Sequence, residues 1–177
     1  MNSGERWCPF DTDKNEAIIN ISRYIYGMDF SKDKIVCDIG CGNGLGSYLY
    51  SIVAKKVYAV DHSAEAIAHA KKYPFSPDKV EFIQQDLEKN FKLPEHDILI
   101  AVEFLEHLAD PQAFLQAQTS RELIFSLPKN SLLISTWHKY DIKDKADVET
   151  LLANSGYRIE TMGIQENLWF HGHAIKL

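Results

Sequence analysis

Residues 36–47 read VCDIGCGNGLGS: an apolar run, a carboxylate at Asp38, then glycines at 40, 42, 44 and 46. Where a strand turns sharply into a helix, the first helical turn presents unpaired backbone N–H groups, and glycine lets a ligand reach them with no Cβ in the way. The stretch therefore suits a nucleotide or anion, and three ligand classes compete for it. A nucleoside triphosphate is excluded, because GCGNGLGS lacks the Gly-Lys-Ser/Thr ending that grips β and γ phosphates. A dinucleotide comes closer, since Asp61 ends the next apolar run as a ribose binder would. Its glycine order does not match, however: Gly-x-Gly-x-Gly, with Asn43 and Leu45 intervening and Ser47 last. A carboxylate at Asp38 sits badly beside a pyrophosphate and well beside an amino group.

A second constellation lies in EFLEHL, where Glu103, Glu106 and His107 stand three and four residues apart and would share a face of one helical turn. In one reading, His107 or His138 is a general base that takes a proton from a substrate hydroxyl, with Glu106 beside it, because imidazole titrates near neutrality. In another, Glu-x-x-Glu-His and the downstream His138 form an oxygen and nitrogen site for a divalent metal such as Mg²⁺ or Mn²⁺. In the plainest, Glu106 and His107 order the loop and cap the next segment. Outside the second reading no residue is assigned to a metal. His171 and His173 alternate along the last apolar run and so share a face, as packing residues commonly do. Trp7, Trp137 and Tyr140 are candidates for lining a substrate pocket, whereas Tyr24 and Tyr26 read as core.

These residues need elements to position them, and strand and helix patterns alternate along the chain. Asn15 to Tyr26 has isoleucines at helical spacing with Asp13 as a cap, Lys34 to Ile39 reads as a strand, Leu45 to Ala54 as a helix and Lys56 to Val60 as a strand. Ser63 caps SAEAIAHAKKY, a good helix former; KVEFIQQ from Lys79 and DILIAV from Asp97 are strands three and four. Asp110-Pro111 starts a helix that runs to about Thr119, since proline at the first helical position loses no hydrogen bond. ELIFSL from Glu122 reads as the fifth strand, with SLLISTW (131–137) competing for that place. Asp144 to Ser155 is helical up to Gly156. YRIETM and WFHGHAIKL, with only GIQENL between them, pair antiparallel. Alternating units of this kind predict an α/β, Rossmann-like sandwich: a mostly parallel seven-stranded sheet with an antiparallel last strand and helices on both faces. Ligands of such sheets bind outside the carboxyl ends of the strands, near the switch point, which is where the glycine motif falls.

Composition narrows the partners. At 177 residues and 45% hydrophobic content the chain reads as one domain over 1–177, with 1–30 as a helical cap over the ligand site. The formal charge is −6, and the only arginines are Arg6, Arg23, Arg121 and Arg158, which argues against a phosphate-tracking groove and a nucleic-acid partner. MNSGERWCPFDTDK has no apolar core of signal-peptide length, and no stretch reaches the roughly 18 apolar residues of a membrane span, so a cytoplasmic protein is expected. Cys8, Cys37 and Cys41 lack paired Cys-x-x-Cys spacing and read as reduced thiols.

The motif Asp38-Ile39-Gly40-Cys41-Gly42-Asn43-Gly44 resembles the first motif of class I S-adenosylmethionine-dependent methyltransferases, and further resemblances follow in order. Asp61 in VYAVD is similar to the residue that takes both ribose hydroxyls, with His62 at the position flanking adenine. Asp86 in IQQDL resembles the acidic residue that receives the adenine amino group, with Leu87 next to it. EFLEHL is similar to the segment after the fourth strand, which places Val102 and Glu103 at the cofactor. GERW and WHKYD resemble pieces of a bacterial subgroup associated with glycan-modifying and small-molecule enzymes. The resemblance implies S-adenosylmethionine as cofactor, S-adenosylhomocysteine as product and methyl transfer to a hydroxyl or amine of a small molecule or sugar, by a monomer or homodimer. It leaves two alternatives: a metal-dependent RNA 2′-O-methyltransferase, which the Glu-x-x-Glu-His pattern resembles, and a non-catalytic protein that binds the same cofactor. The chain lacks the lysine-proline-glycine-glycine turn before strand five, and the long substrate insertion after it, that many relatives carry.

Overall fold

The apolar runs become a single seven-stranded sheet in the computed structural model, which describes residues 14–72 and 78–177. The Asp13 cap, Trp7, Cys8, the rest of the segment before Lys14, and Tyr73 lie outside the described residues. In chain order the elements are α1 (Lys14–Phe30), β1 (Ile35–Ile39), α2 (Leu45–Val53), β2 (Lys56–Asp61), α3 (Ala64–Ala70), β3 (Val80–Gln84) and β4 (Ile98–Val102). A 3₁₀ turn (Leu105–His107) follows, then α4 (Pro111–Ala117), β5 (Glu122–Pro128), α5 (Ser131–Ile134), α6 (Lys145–Asn154), β6 (Tyr157–Gln165) and β7 (Trp169–Lys176).

The strand order is β3-β2-β1-β4-β5-β7-β6, parallel throughout except that β7 runs against both of its neighbours. Each parallel neighbour is reached through a crossover, whereas β6 and β7 are joined by a short turn and must be antiparallel. Strand residues alternate between two cores. Val36, Val57, Ile98, Ile100 and Ile124 pack under Tyr24, Tyr26 and Tyr50 of α1 and α2 on one face. Cys37, Ile39, Leu99, Ala101, Leu123 and Phe125 pack under Phe114, Leu115, Val148 and Leu151 of α4 and α6 on the other. Tyr24 and Tyr26, read as core from the sequence, are partly buried and pack against it.

Boundaries differ from the sequence reading in several places, among them β6, which continues past Met162 to Gln165. The first helix continues past Tyr26 to Phe30, and α4 stops at Ala117, two residues short of Thr119. The fifth strand is ELIFSLP, buried along almost its whole length between β4 and β7. Its competitor folds instead as the short α5, with Leu132, Leu133 and Ile134 all exposed. No described helix is long and apolar enough to cross a membrane.

The order reverses between β1 and β4, so the loops after β1, β2, β3 and β4 converge on one edge, the place where open α/β sheets hold ligands.

Candidate functional site

The glycine loop follows β1 directly, and Gly40, Gly42 and Gly44 all adopt positive φ (68°, 52° and 80°), which L side chains rarely tolerate. Among the described residues, only one of the four glycines lacks a close neighbour at its Cβ position. A Cβ on Gly40 would lie 2.5 Å from the Phe104 ring, one on Gly44 3.0 Å from Ala70, and one on Gly46 3.0 Å from Tyr24. On Gly42 the nearest atom would be the Gly40 carbonyl oxygen at 4.0 Å. Three glycines therefore serve internal packing, and the fourth leaves an approach to backbone from outside.

The loop is held in shape from β2. Cys41 N–H donates to the Val60 carbonyl (3.1 Å) and Gly44 N–H to that of Cys41 (2.8 Å). The Asp61 carboxylate accepts from Gly42 N–H at 2.9 Å and, through its other oxygen, from Ser63 N–H at 2.8 Å. His62 is largely exposed, with Nδ1 3.6 Å from Asp61. Asp38 lies beneath, 5% exposed, and accepts from the Ser47 hydroxyl at 2.5 Å. Burial lifts its carboxyl to about 7, with the Ser47 bond pulling the other way and the charge of Asp61 adding to the rise. The serine that closes the glycine motif is thus the partner of its first carboxylate. Asn43, also on the loop, is half-buried.

Two strands along the edge, Asp86 sits partly exposed after β3. Lys89, with Nζ at 2.7 Å, is the main cause of its carboxyl lying below the ordinary range. Leu87 points the other way, into the core under Phe114.

Beyond Val102, the half-buried last residue of β4, the chain enters a left-handed turn at Glu103, φ 51°. Glu103 N–H donates to the Ser126 carbonyl and hydroxyl, and Ser126 Oγ donates back to Oε1 at 2.6 Å. The same Oε1 is 2.9 Å from Nη1 of Arg23, a buried arginine of α1 whose guanidinium stacks on Trp169 and donates to Asn20. The sequence reading missed Arg23. Its signal was a cation four residues before Gly27, on the side of α1 that faces the sheet. Glu103 precedes the 3₁₀ turn and does not share one helical face with Glu106 and His107 as the spacing suggested.

Glu106 is fully buried, and its carbonyl accepts from Lys139 N–H (2.7 Å) and Tyr140 N–H (3.1 Å), which brings the segment after α5 alongside. His138 is thereby placed against His107, ring centroids 4.8 Å apart and nearly perpendicular. His138 Nδ1 lies 2.6 Å from the Ser131 carbonyl, His107 Nδ1 3.4 Å from that of Trp137, and His107 Nε2 4.0 Å from Glu106 Oε1. One potential ligand atom from each of Glu106, His107 and His138 falls within 4.8 Å of the others. Glu88 ties the surrounding loops: its carboxylate accepts from Ala109 N–H at 2.7 Å and Lys139 Nζ at 2.6 Å. Exposed Leu132, Leu133, Ile134 and Trp137 flank the group, while Tyr140 packs against the core.

His171 and His173 do share a face, and it is the face of α1: His171 meets Tyr26, and His173 meets Phe30 and pairs with Glu122 at 3.2 Å.

A family model described as a methyltransferase domain matches residues 37–119. A probable S-adenosylmethionine-dependent methyltransferase of Mycobacterium tuberculosis is 30% identical over 138 residues, 69% of this chain and 48% of that protein. A mitochondrial ubiquinone biosynthesis O-methyltransferase of Schizosaccharomyces pombe is 37% identical over 90 residues, 49% of this chain and 32% of that protein. The chain thus spans half or less of the length of these curated relatives. Among solved structures, an Aquifex aeolicus S-adenosylmethionine-dependent methyltransferase superposes with TM-score 0.73 at 19% identity, covering 97% of this chain and 100% of that one. A Synechocystis magnesium protoporphyrin IX methyltransferase with bound S-adenosylmethionine also gives 0.73 at 19% identity, covering 99% and 87%.

Proposed function

Because the chain belongs to the class I S-adenosylmethionine-dependent methyltransferases, we propose that it transfers the methyl group of that cofactor to a hydroxyl or amine of a small molecule or sugar. The observation that carries this reading is the bare approach at Gly42, the glycine of the motif whose Cβ position meets nothing closer than 4.0 Å among the described residues, with the Asp61 carboxylate on its N–H. The residues fit the cofactor in charge as well as in space. A carboxylate whose pKa is raised by burial gains from a nearby ammonium group, and Asp38 is such a carboxylate. Asp61 keeps lone pairs for ribose hydroxyls after its two backbone bonds, and Asp86 stands at the edge where an adenine amino group would be received.

When bound, the cofactor supplies a sulfonium methyl activated for in-line displacement, so the chain has chiefly to position and desolvate. Phe104, pressed on Gly40, fixes the floor of the site between loop and acceptor side. Of Glu106, His107 and His138, the partly exposed His107 is the candidate to take a proton from the acceptor, with His138 packed against it. Exposed Leu132, Leu133, Ile134 and Trp137 at the rim support an acceptor with an apolar or ring face. Proteins similar to the chain are named as a ubiquinone biosynthesis O-methyltransferase and a magnesium protoporphyrin IX methyltransferase, which is compatible with such an acceptor.

A thermal shift with S-adenosylmethionine, S-adenosylhomocysteine and NAD tests the donor. The first two should raise the melting temperature, and Asp61→Asn should weaken the response at least about tenfold in ligand concentration. Stabilisation by NAD alone would overturn the reading. A methyl-transfer screen over phenols, sugars, amines and short RNAs then identifies the acceptor, and cofactor binding without transfer to any of them would favour a non-catalytic role.

A further inference from the structure

We propose that the chain carries a second small-molecule site, a cavity over the ends of β5, β6 and β7 that takes an organic anion with a short hydrocarbon body. The cavity follows from unequal element lengths. α6 returns into β6 through Ser155 and Gly156, and its ten residues cover about 15 Å, whereas the nine residues of β6 run to roughly 30 Å. The strand therefore outruns its helix, and the apolar face of its second half is left without a helical cover. Met162 and Ile164 alternate onto that face, and Phe170 of β7 stands directly opposite Ile164. Phe170 belongs to the core under α4 and α6, and Met162 packs against it, so the floor is a continuation of that core beyond the helix end. A cavity of about 360 Å³ remains above it, walled by Lys129, Asp144 and Lys145, a volume within the range of small-molecule sites.

The walls carry the charge. Lys129 follows β5, and its N–H donates to the Leu168 carbonyl at 2.7 Å, which pins the backbone at the edge of the cavity. The residue is half-buried, and among the described residues its ammonium makes no hydrogen bond or ion pair. Lys145, at the start of α6, has an exposed pairing with Glu149 at 3.2 Å, which contributes little and exchanges readily for a ligand. Asp144, the one acid lining the cavity, is engaged through Oδ1 with the N–H groups of Ala146 and Asp147 that it caps. Two ammonium groups over an apolar floor select a molecule with a carboxylate at one end and hydrocarbon at the other. An inorganic anion leaves the floor bare, and a neutral hydrocarbon leaves Lys129 without a counter-charge.

The cavity is distinct from the glycine loop. β1, which carries that loop, is three places from β7 in the sheet, roughly 14 Å at about 4.8 Å per strand. Occupancy of the cavity therefore does not depend on the methyl-transfer reading, and a ligand there does not compete with the cofactor.

The test is isothermal titration of the full chain with octanoate, octanamide and inorganic phosphate, and again with octanoate in the presence of excess S-adenosylhomocysteine. One octanoate per chain is expected, with octanamide and phosphate each at least about fivefold weaker and S-adenosylhomocysteine without effect on octanoate. Lys129→Gln should weaken octanoate at least about fivefold and leave octanamide unchanged. Ile164→Asp, at an exposed position that tolerates the change, should weaken both, and Lys55→Gln, exposed just before β2, should alter neither. Absence of saturable octanoate binding, equal affinity for octanamide, displacement by S-adenosylhomocysteine, or binding untouched by both Lys129→Gln and Ile164→Asp overturns the proposal.

Discussion

A single carboxylate makes the site sensitive to pH. Folded, Asp38 keeps its proton up to about pH 7; unfolded, it gives it up near 3.8. The folded state therefore binds the extra proton between these values, so the contribution of Asp38 is most favourable below pH 3.8 and is lost as pH rises to 7. Asp38→Asn should flatten that decline in melting temperature, and equal slopes in both proteins would refute the assignment. The comparison is made with the variant because His96, which burial holds neutral below its ordinary 6.5, loses stability in the opposite direction as pH falls. The glycines separate packing from binding at the same scale. Gly40→Ala meets Phe104 at 2.5 Å and adds a left-handed alanine, together costing about 2 to 4 kcal/mol of stability. Gly42→Ala adds only the backbone term, about 1 to 2 kcal/mol, yet should weaken cofactor binding more than Gly40→Ala does in whatever fraction folds. Denaturant melts and cofactor titrations of the two variants check this, and the reverse ranking in either measurement would contradict it.

The elements were legible where local chemistry decides them. Ser63 and Asp110 cap α3 and α4 as the sequence reading had them, and Asp144, read there as the first helical residue, caps α6 in a reciprocal capping box with Asp147. Asp144→Ala should cost about 1 kcal/mol, lowering the melting temperature by roughly 2 to 4 °C with cofactor affinity unchanged, as calorimetry would show. A drop in affinity would mean that α6 supports the site more directly than its packing indicates. What depends on distant pairing was not legible. ELIFSL and SLLISTW look alike as β-prone runs, and only burial between β4 and β7 decides for the first. The Arg23–Glu103 pair joins α1 to the end of β4, and nothing in either neighbourhood announces the other. Glu103, Glu106 and His107 carried the right residue types, but a left-handed residue at 103 breaks the helical periodicity on which the shared face depended.

At the scale of the whole molecule, the sheet order brings four loops to one edge, and something must keep them in register there. The loop after β1 is fastened to β2 by Asp61, but the loops after β3 and β4 and the segment after α5 share no strand pairing at their tips. Glu88 joins them: from the β3 loop it takes a backbone N–H of the β4 loop at Ala109 and the Lys139 ammonium from beyond α5. Lys139 is the main cause of the Glu88 carboxyl lying below its ordinary range, which reports the same tie. The pair is half-exposed, so its contribution to stability is small, at most about 1 kcal/mol. Its contribution to geometry is larger, because the acceptor side is built from the loops it joins, whereas the glycine loop and Asp61 on the donor side stand outside them. Glu88→Ala should therefore raise KM for the acceptor several-fold with the dissociation constant for S-adenosylmethionine nearly unchanged and the melting temperature within a few degrees of the parent. Steady-state kinetics at saturating donor, set beside a cofactor titration, separates the two. Equal losses on both sides would place Glu88 under the whole site, and no loss on either would leave the loops ordered by the core alone.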